Sequence, residues 1–232
     1  MLYVVKEHMG CVVLSGVFGC GKTLLLSTLH DELAGSRYRV ARVNNPQLDS
    51  SGLLQSVLYR FGAKGRIPAS KAGVINKLDR MVDDNFKDGK ETIVMVDEAH
   101  VIDDLKVFEE LRMLLNWQVS DRPLVTLILS GQPELYQKVS NIKQLAQRVS
   151  IKAELGRLDL DDTKRYINHR LKVAGRSLPV FSEQAYQEIF SSSGGIPRRI
   201  NSICDLSLLS GYLKGQRYVG EDLIKDAAGD LI

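Results

Sequence analysis

The stretch Gly16-Val17-Phe18-Gly19-Cys20-Gly21-Lys22-Thr23 matches the pattern G-x-x-x-x-G-K-[ST] without a mismatch. No other feature limits the fold as much, because this loop needs a buried strand before it and a helix after it. Both are legible. Cys11-Val12-Val13-Leu14 is an unbroken apolar run of the kind a parallel strand covered on both faces requires, and Leu24-Leu25-Leu26 with Leu29 continues into a helix. Glycines let the backbone turn tightly, so that its N–H groups converge on phosphate oxygens, and the helix N-terminus adds partial positive charge. Gly16, Val17, Phe18, Gly19, Cys20, Gly21, Lys22, Thr23 and Leu24 are therefore expected to surround the phosphates of a nucleotide. Lys22 should reach the β- and γ-phosphates, and the Thr23 hydroxyl should ligate Mg²⁺.

A second part of the same chemistry lies downstream. The strand Thr92-Ile93-Val94-Met95-Val96 delivers Asp97-Glu98-Ala99-His100 at its C-terminal end. Asp97 is expected to hold Mg²⁺, directly or through water, and Glu98 to orient or deprotonate the attacking water. The letters Asp-Glu-Ala-His also mark one helicase class. Such helicases need two large nucleotide-binding folds, and 232 residues have room for one. His100 is accordingly expected to cap or pack at the strand end and is not counted as catalytic.

Between and after these motifs, apolar runs alternate with helical spacing. Tyr38 to Asn44 alternates as a strand ended by Asn45-Pro46. Leu53, Leu54, Val57 and Leu58 form a helical face stopped by Gly62, and residues 63–70 read as a loop. Val74, Ile75, Leu78, Met81, Val82 and Phe86 form another helical face, with Asp88-Gly89 turning into the next strand. Residues 105–117 read as an amphipathic helix with Leu105, Phe108, Leu111, Leu114 and Leu115 inward. Pro123 should open the strand Leu124-Val125-Thr126-Leu127-Ile128-Leu129, whose tip carries Ser130 and Gln132, two candidates for sensing the γ-phosphate. A short strand, residues 149–153, completes a three-layer α/β/α core with a parallel sheet. Ligands in such a sheet bind at the C-terminal strand ends, where these motifs fall. From Asp161 the chain reads as helices only, with Ser182 capping one and Ile196-Pro197 opening another. The expected division is an ATPase core over residues 1–157 and a small all-helical lid over residues 158–232.

Composition narrows the class. Lys and Arg number 31 against 28 Asp and Glu, a net +3, which does not announce a nucleic-acid binder. No apolar run approaches a membrane span, and Lys6 and Glu7 come too early for a signal peptide. Three scattered cysteines suggest a reducing compartment and no disulfide framework. A soluble, cytoplasmic protein is expected. The cysteines are too far apart, and the histidines too far from them, for a zinc site. Arg165, His169, Lys172 and Arg176 follow a 4-3-4 spacing along one helix face, suited to phosphates or an acidic partner and more commonly a solvated face. Cys20, inside the loop, is a candidate for oxidation that would block nucleotide binding, although a filler role is commoner.

Taken together these segments resemble the AAA+ ATPases, and within them the ATPase domain of general secretion pathway protein A. The resemblance rests on residues 16–23, Asp97-Glu98-Ala99-His100, Leu111-Arg112-Met113-Leu114-Leu115-Asn116, Ser130-Gly131-Gln132-Pro133-Glu134-Leu135 and Gln147-Arg148. In the lid it rests on Tyr166-Ile167-Asn168-His169-Arg170-Leu171 and Gly194-Gly195-Ile196-Pro197-Arg198-Arg199-Ile200-Asn201. It implies an ATP- and Mg²⁺-binding homo-oligomer, a ring or filament, whose sites lie between subunits. Arg148 would be the arginine finger reaching a neighbour's γ-phosphate, and Arg198, with Arg199 beside it, the lid's sensor arginine. Secretion members usually continue into a membrane span and a peptidoglycan-binding region. This chain stops after the lid and begins close to the phosphate loop, so the secretion role is not carried over with the fold. The implied function is ATP hydrolysis, by Lys22 and Glu98 with Arg148, that drives assembly or remodelling of a partner such as a secretion or envelope protein. The runner-up is an ATP-dependent DNA-binding switch like the transposition ATPases of the Mu B kind. A third is an adaptor that binds nucleotide without turnover.

Overall fold

The computed structural model describes residues 1–35, 37–176 and 178–230. Its contacts divide the chain into two compact units, Met1–Gly16 with Lys22–Leu155, and Val17–Gly21 with Gly156–Ile232. Ser177 and the last two residues of the expected 158–232 domain lie outside the described residues.

The first unit is built on β1 (Cys11–Ser15), β2 (Tyr38–Val43), β3 (Glu91–Val96), a hairpin of β4 (Gln118–Val119) and β5 (Arg122–Pro123), then β6 (Val125–Gly131) and β7 (Val149–Glu154). All but the hairpin form one parallel sheet in the order β2-β3-β6-β1-β7. Successive side chains of a strand point to opposite faces, so each buried strand needs two apolar sets. Ile93, Met95 and Ile128 pack on one face with Val5 of α1 (Leu2–Lys6) and with Leu26, Leu29 and Leu33 in and just after α2 (Lys22–Glu32). Val94, Val96, Leu127 and Leu129 face the other way. They meet α3 (Ser50–Arg60), α4 (Lys71–Lys87) and α5 (Leu105–Leu114) through Leu54, Leu78 and Phe108. This gives the expected three layers. At about 1.5–3 kcal/mol for each large apolar side chain buried, these contacts dominate the stability. Asp49, Ser70 and Asp104 cap α3, α4 and α5 with their side-chain oxygens.

The strand order places β1 where the chain changes direction across the sheet: β2, β3 and β6 lie on one side of it and β7 on the other. A crevice at the C-terminal strand ends, at such a switch point, is the ligand position in open α/β sheets. Two short helices, α6 (Glu134–Asn141) and α7 (Lys143–Ala146), bridge β6 to β7.

The second unit contains α8 (Leu160–Val173), α9 (Glu183–Ser193), α10 (Pro197–Leu213) and α11 (Glu221–Gly229) around its own core of Ile167, Phe181, Tyr186, Ile189, Ile200, Ile203 and Ile224. Asp159 and Ser182 cap α8 and α9.

Three details differ from the sequence expectation. Pro123 does not open the central strand; Ser120 and Asp121 both take positive φ and close a tight hairpin in which Pro123 pairs with Gln118. Leu105 is exposed, because it opens α5 directly after its capping residue, ahead of the turns that meet the sheet. Arg176 follows Gly175, which turns at φ +85° past the end of α8, so the four basic residues do not share one helix.

Candidate nucleotide site

In the first unit, β1 ends at Ser15, Gly16 begins the loop, and α2 starts at Lys22. Lys22 is buried and its Nζ donates to the Gly16 carbonyl at 2.8 Å. Strand β3 ends beside β2, where the Asp97 N–H donates to Val43 O at 2.8 Å. The Asp97 carboxylate is buried, and its Oδ1 accepts the Glu98 N–H at 3.0 Å. A buried carboxylate needs a counter-charge, and Arg42 of β2 supplies one, 3.5 Å from Oδ2. The same guanidinium donates to Ser27 Oγ at 2.7 Å and to the Thr23 carbonyl at 3.3 Å, while its Nε is buried with no hydrogen bond. Arg42 thus ties the start of α2 to the tip of β3, the two places that carry the expected metal ligands Thr23 and Asp97. Sequence reading missed it. The only signal was a charged residue within an otherwise apolar half-strand, Val40-Ala41-Arg42-Val43.

Glu98 adopts the left-handed conformation, φ 52° and ψ 31°, a strain of about 1–3 kcal/mol for a residue with a side chain. It turns the chain from β3 into the 3₁₀ turn Ala99–Val101. His100 on that turn stands 3.4 Å from Glu98 Oε2 through Nδ1, and 3.0 Å from the Gln132 amide nitrogen through Nε2. Lys138 of α6 anchors the turn by donating to His100 O at 2.6 Å and to Ile102 O at 2.9 Å. Gly131 makes the approach feasible: a Cβ there would lie 3.0 Å from both the His100 nitrogen and Leu135 Cδ2. The two sensor candidates therefore differ. Gln132 is engaged with His100, whereas Ser130 is fully buried in β6 with an unpartnered Oγ.

Arg148 is exposed and rests on the end of α5, donating to Asn116 Oδ1 at 3.3 Å and to Leu115 O at 3.5 Å. Its neighbour Val149 pairs with Cys11, the first residue of β1, while the loop leaves from the far end of that strand. The five residues of β1 separate the two levels, about 16 Å at about 3.3 Å per residue.

The loop tip, residues 17–21, belongs to the second unit. Gly19 and Gly21 take φ of +83° and +107°, values that exclude most side chains. Gly19 O accepts the Arg198 N–H at 3.2 Å, and a Cβ on Gly19 would fall 2.9 Å from Arg198 Cβ. The Arg198 guanidinium lies 4.6 Å from the Phe18 ring centroid, in cation–π range. Pro197 opens α10, which puts Arg198 in its first turn. Cys20 is buried and unbridged.

Among the described residues there is no cluster of three or more His, Cys, Asp or Glu side chains able to hold a metal alone. One buried carboxylate, Asp97, with the exposed Thr23 suits Mg²⁺, which keeps most of its shell for water and substrate phosphates.

A family model described as an AAA domain matches residues 5–139. Over 224 residues the chain is 34% identical to general secretion pathway protein A of Aeromonas hydrophila, covering 94% of this chain and 40% of that protein. It therefore spans well under half the length of that relative. Among solved structures, the Aeropyrum pernix ORC2 protein in ADPNP–ADP complexes superposes with a TM-score of 0.70 at 16% identity, over 99% of this chain and 64% of that one. Cdc6p from Pyrobaculum aerophilum gives 0.75 at 15% identity, over 96% and 61%. At such identities these two structures speak for the fold.

Proposed function

Because this chain belongs to the AAA domain family of ATPases, we propose that it binds ATP with Mg²⁺ and hydrolyses it to drive assembly or remodelling of a partner protein. The observation that carries this is the meeting of Lys22 and Thr23 at the head of α2 with Asp97 and Glu98 at the tip of β3, joined by Arg42. Mg²⁺, held by Thr23 and Asp97, would neutralise charge on the β- and γ-phosphates. Lys22 would leave the Gly16 carbonyl for a phosphate oxygen. Glu98, partly exposed at the strained turn that follows β3, would accept the proton of the water attacking in line. Ser130, buried and unpartnered, would sense the γ-phosphate, and Arg198 would bind phosphate from its place beside Gly19 and Phe18.

Arg148 would act on a second copy of the chain. It lies at the N-terminal ends of the strands and its own loop at their C-terminal ends, so a role at phosphate would call for a neighbour's site. Residues 1–157 would form the ATPase core and residues 158–232 the lid. The name of the relative, general secretion pathway protein A, suggests a secretion-system protein as the partner.

The test is turnover per subunit against protein concentration, with ATP affinity measured in parallel and duplex DNA added in one arm. The rate should climb with concentration. Glu98→Gln should keep ATP affinity and lower turnover by about 10²–10⁴-fold. Turnover in Glu98→Gln within tenfold of the unsubstituted chain would overturn the assignment.

A further inference from the structure

We infer that His100 is a positioning residue that sets the direction of the Glu98 carboxylate, and that Gln132 fixes the tautomer in which it does so. The inference rests on Glu98 being the base proposed above.

The imidazole has a fixed address. Its main chain is held by Lys138, Gly131 leaves no slack behind it, and its side chain is only 14% exposed. Of its two ring nitrogens, Nε2 faces the Gln132 amide nitrogen at 3.0 Å and Nδ1 faces Glu98 Oε2 at 3.4 Å. Two proton arrangements fit these contacts. If the Gln132 amide donates to Nε2, the ring proton sits on Nδ1 and points at the carboxylate. If the amide is turned so that its oxygen accepts from Nε2–H, a bare Nδ1 lone pair faces a carboxylate oxygen, which is repulsive. Electrostatics selects the first.

In that arrangement the Nδ1–H is buried without a hydrogen bond. A buried unsatisfied donor is costly, and Glu98 Oε2, 3.4 Å away, is an acceptor that can relieve it. Contacts of this kind are commonly long before substrate binds and tighten afterwards. With the Glu98 backbone pinned in its left-handed conformation, a bond from Nδ1–H would commit one carboxylate oxygen and leave the other free for the water proton. His100 never touches the reacting atoms. The sequence alone places it at the strand end as a capping or packing residue, because neither Gln132 nor the turn of Glu98 is legible there.

The test exploits geometry. An asparagine amide nitrogen overlays the Nδ1 position of histidine, and a glutamine amide overlays Nε2. His100→Asn should keep most of the turnover, whereas His100→Gln and His100→Leu should lose about 10–100-fold in kcat with ATP affinity unchanged. Gln132→Leu should lose part of that turnover, because it removes the donor that keeps Nε2 bare and the ring proton on Nδ1. Equal loss in His100→Asn and His100→Gln would mean that His100 only packs, and an unchanged kcat in His100→Leu would also overturn the inference. Run beside them, Glu98→Gln separates the two levels. If it lacks turnover while the His100 series is flat, only the present inference fails; if it turns over normally, the base assignment fails and this inference with it.

Discussion

Gly194 and Gly195 are adjacent, both left-handed at φ +60° and +70°, yet alanine should be tolerated very differently at the two. The backbone strain, about 1–2 kcal/mol for a non-glycine residue, is common to both and cancels in the comparison. What differs is the space. At Gly194 a Cβ meets only Arg157 Nη1, at 3.2 Å, the far end of a flexible side chain that can swing away. At Gly195 it would stand 2.0 Å from the Leu158 carbonyl oxygen, with the Leu158 carbonyl carbon and nitrogen at 3.1 and 3.2 Å. Those are backbone atoms, held by the Leu158 N–H bond to Gly195 O at 2.9 Å. Relief must move the main chain, at about 1–3 kcal/mol for overpacking, and forfeits a bond worth about 1 kcal/mol. Gly194→Ala should therefore cost about 1–2 kcal/mol and Gly195→Ala about 3–6 kcal/mol. At about 2–4 °C per kcal/mol for a chain near this size, the two melting temperatures should differ by at least about 4 °C. Circular dichroism at the helical minimum, on the full chain under one set of conditions, reads this directly. Equal melting temperatures would refute the claim that the Leu158 carbonyl, and not the shared conformation, requires glycine at 195.

Two further predictions follow from the structure. Arg148→Ala should retain ATP affinity but lose turnover by about 10³-fold or more; mixing it with Lys22→Ala, which still carries Arg148, should restore part of the rate, and no recovery at any ratio would argue against supply between subunits. Burial pushes the Cys11 and Cys204 thiols up from 9.0 to about 12, so their contribution to stability is complete below about pH 9 and declines as pH rises towards 12, where the unfolded chain ionises first. Urea midpoints from pH 8 to 11 should fall less steeply in a Cys11→Ala, Cys204→Ala double variant than in the unsubstituted chain; parallel slopes would contradict this.

The parts most legible in the sequence were those whose physics is local. A glycine loop between an apolar strand and a helix, and an acid pair closing a second apolar strand, carry their context within a dozen residues. Capping by Ser182, the proline at the head of α10 and the glycine stops were readable for the same reason. Side-chain partnerships across the sheet were not. The work of Arg42 depends on β2 pairing with β3 in the register Arg42↔Met95, on the face covered by α2. Nothing in the letters around residue 42 states that pairing. The partner of His100 was not legible either, since Gln132 is 32 residues away and reaches it only because β3 and β6 are neighbours. The β4–β5 hairpin escaped notice because Ser120-Asp121 closes its turn without the Asn-Gly or Asp-Gly pair that usually marks one.

The separation of Arg148 from its own phosphate loop by the length of β1 gives each chain a polarity. In the proposed scheme the C-terminal ends of the strands would receive and the N-terminal ends would give. A two-fold pair could exchange fingers only if one self-complementary patch held both Arg148 and the phosphate loop, whereas a head-to-tail contact lets the two lie on different faces. In a head-to-tail arrangement each copy would complete the next. An open row of n chains then holds n minus one finished sites, and its last chain binds ATP without the means to spend it. Only a closed ring would remove that idle end. Specific activity would therefore count unfinished ends, and a rate that saturates below one active site per chain would mark an open row.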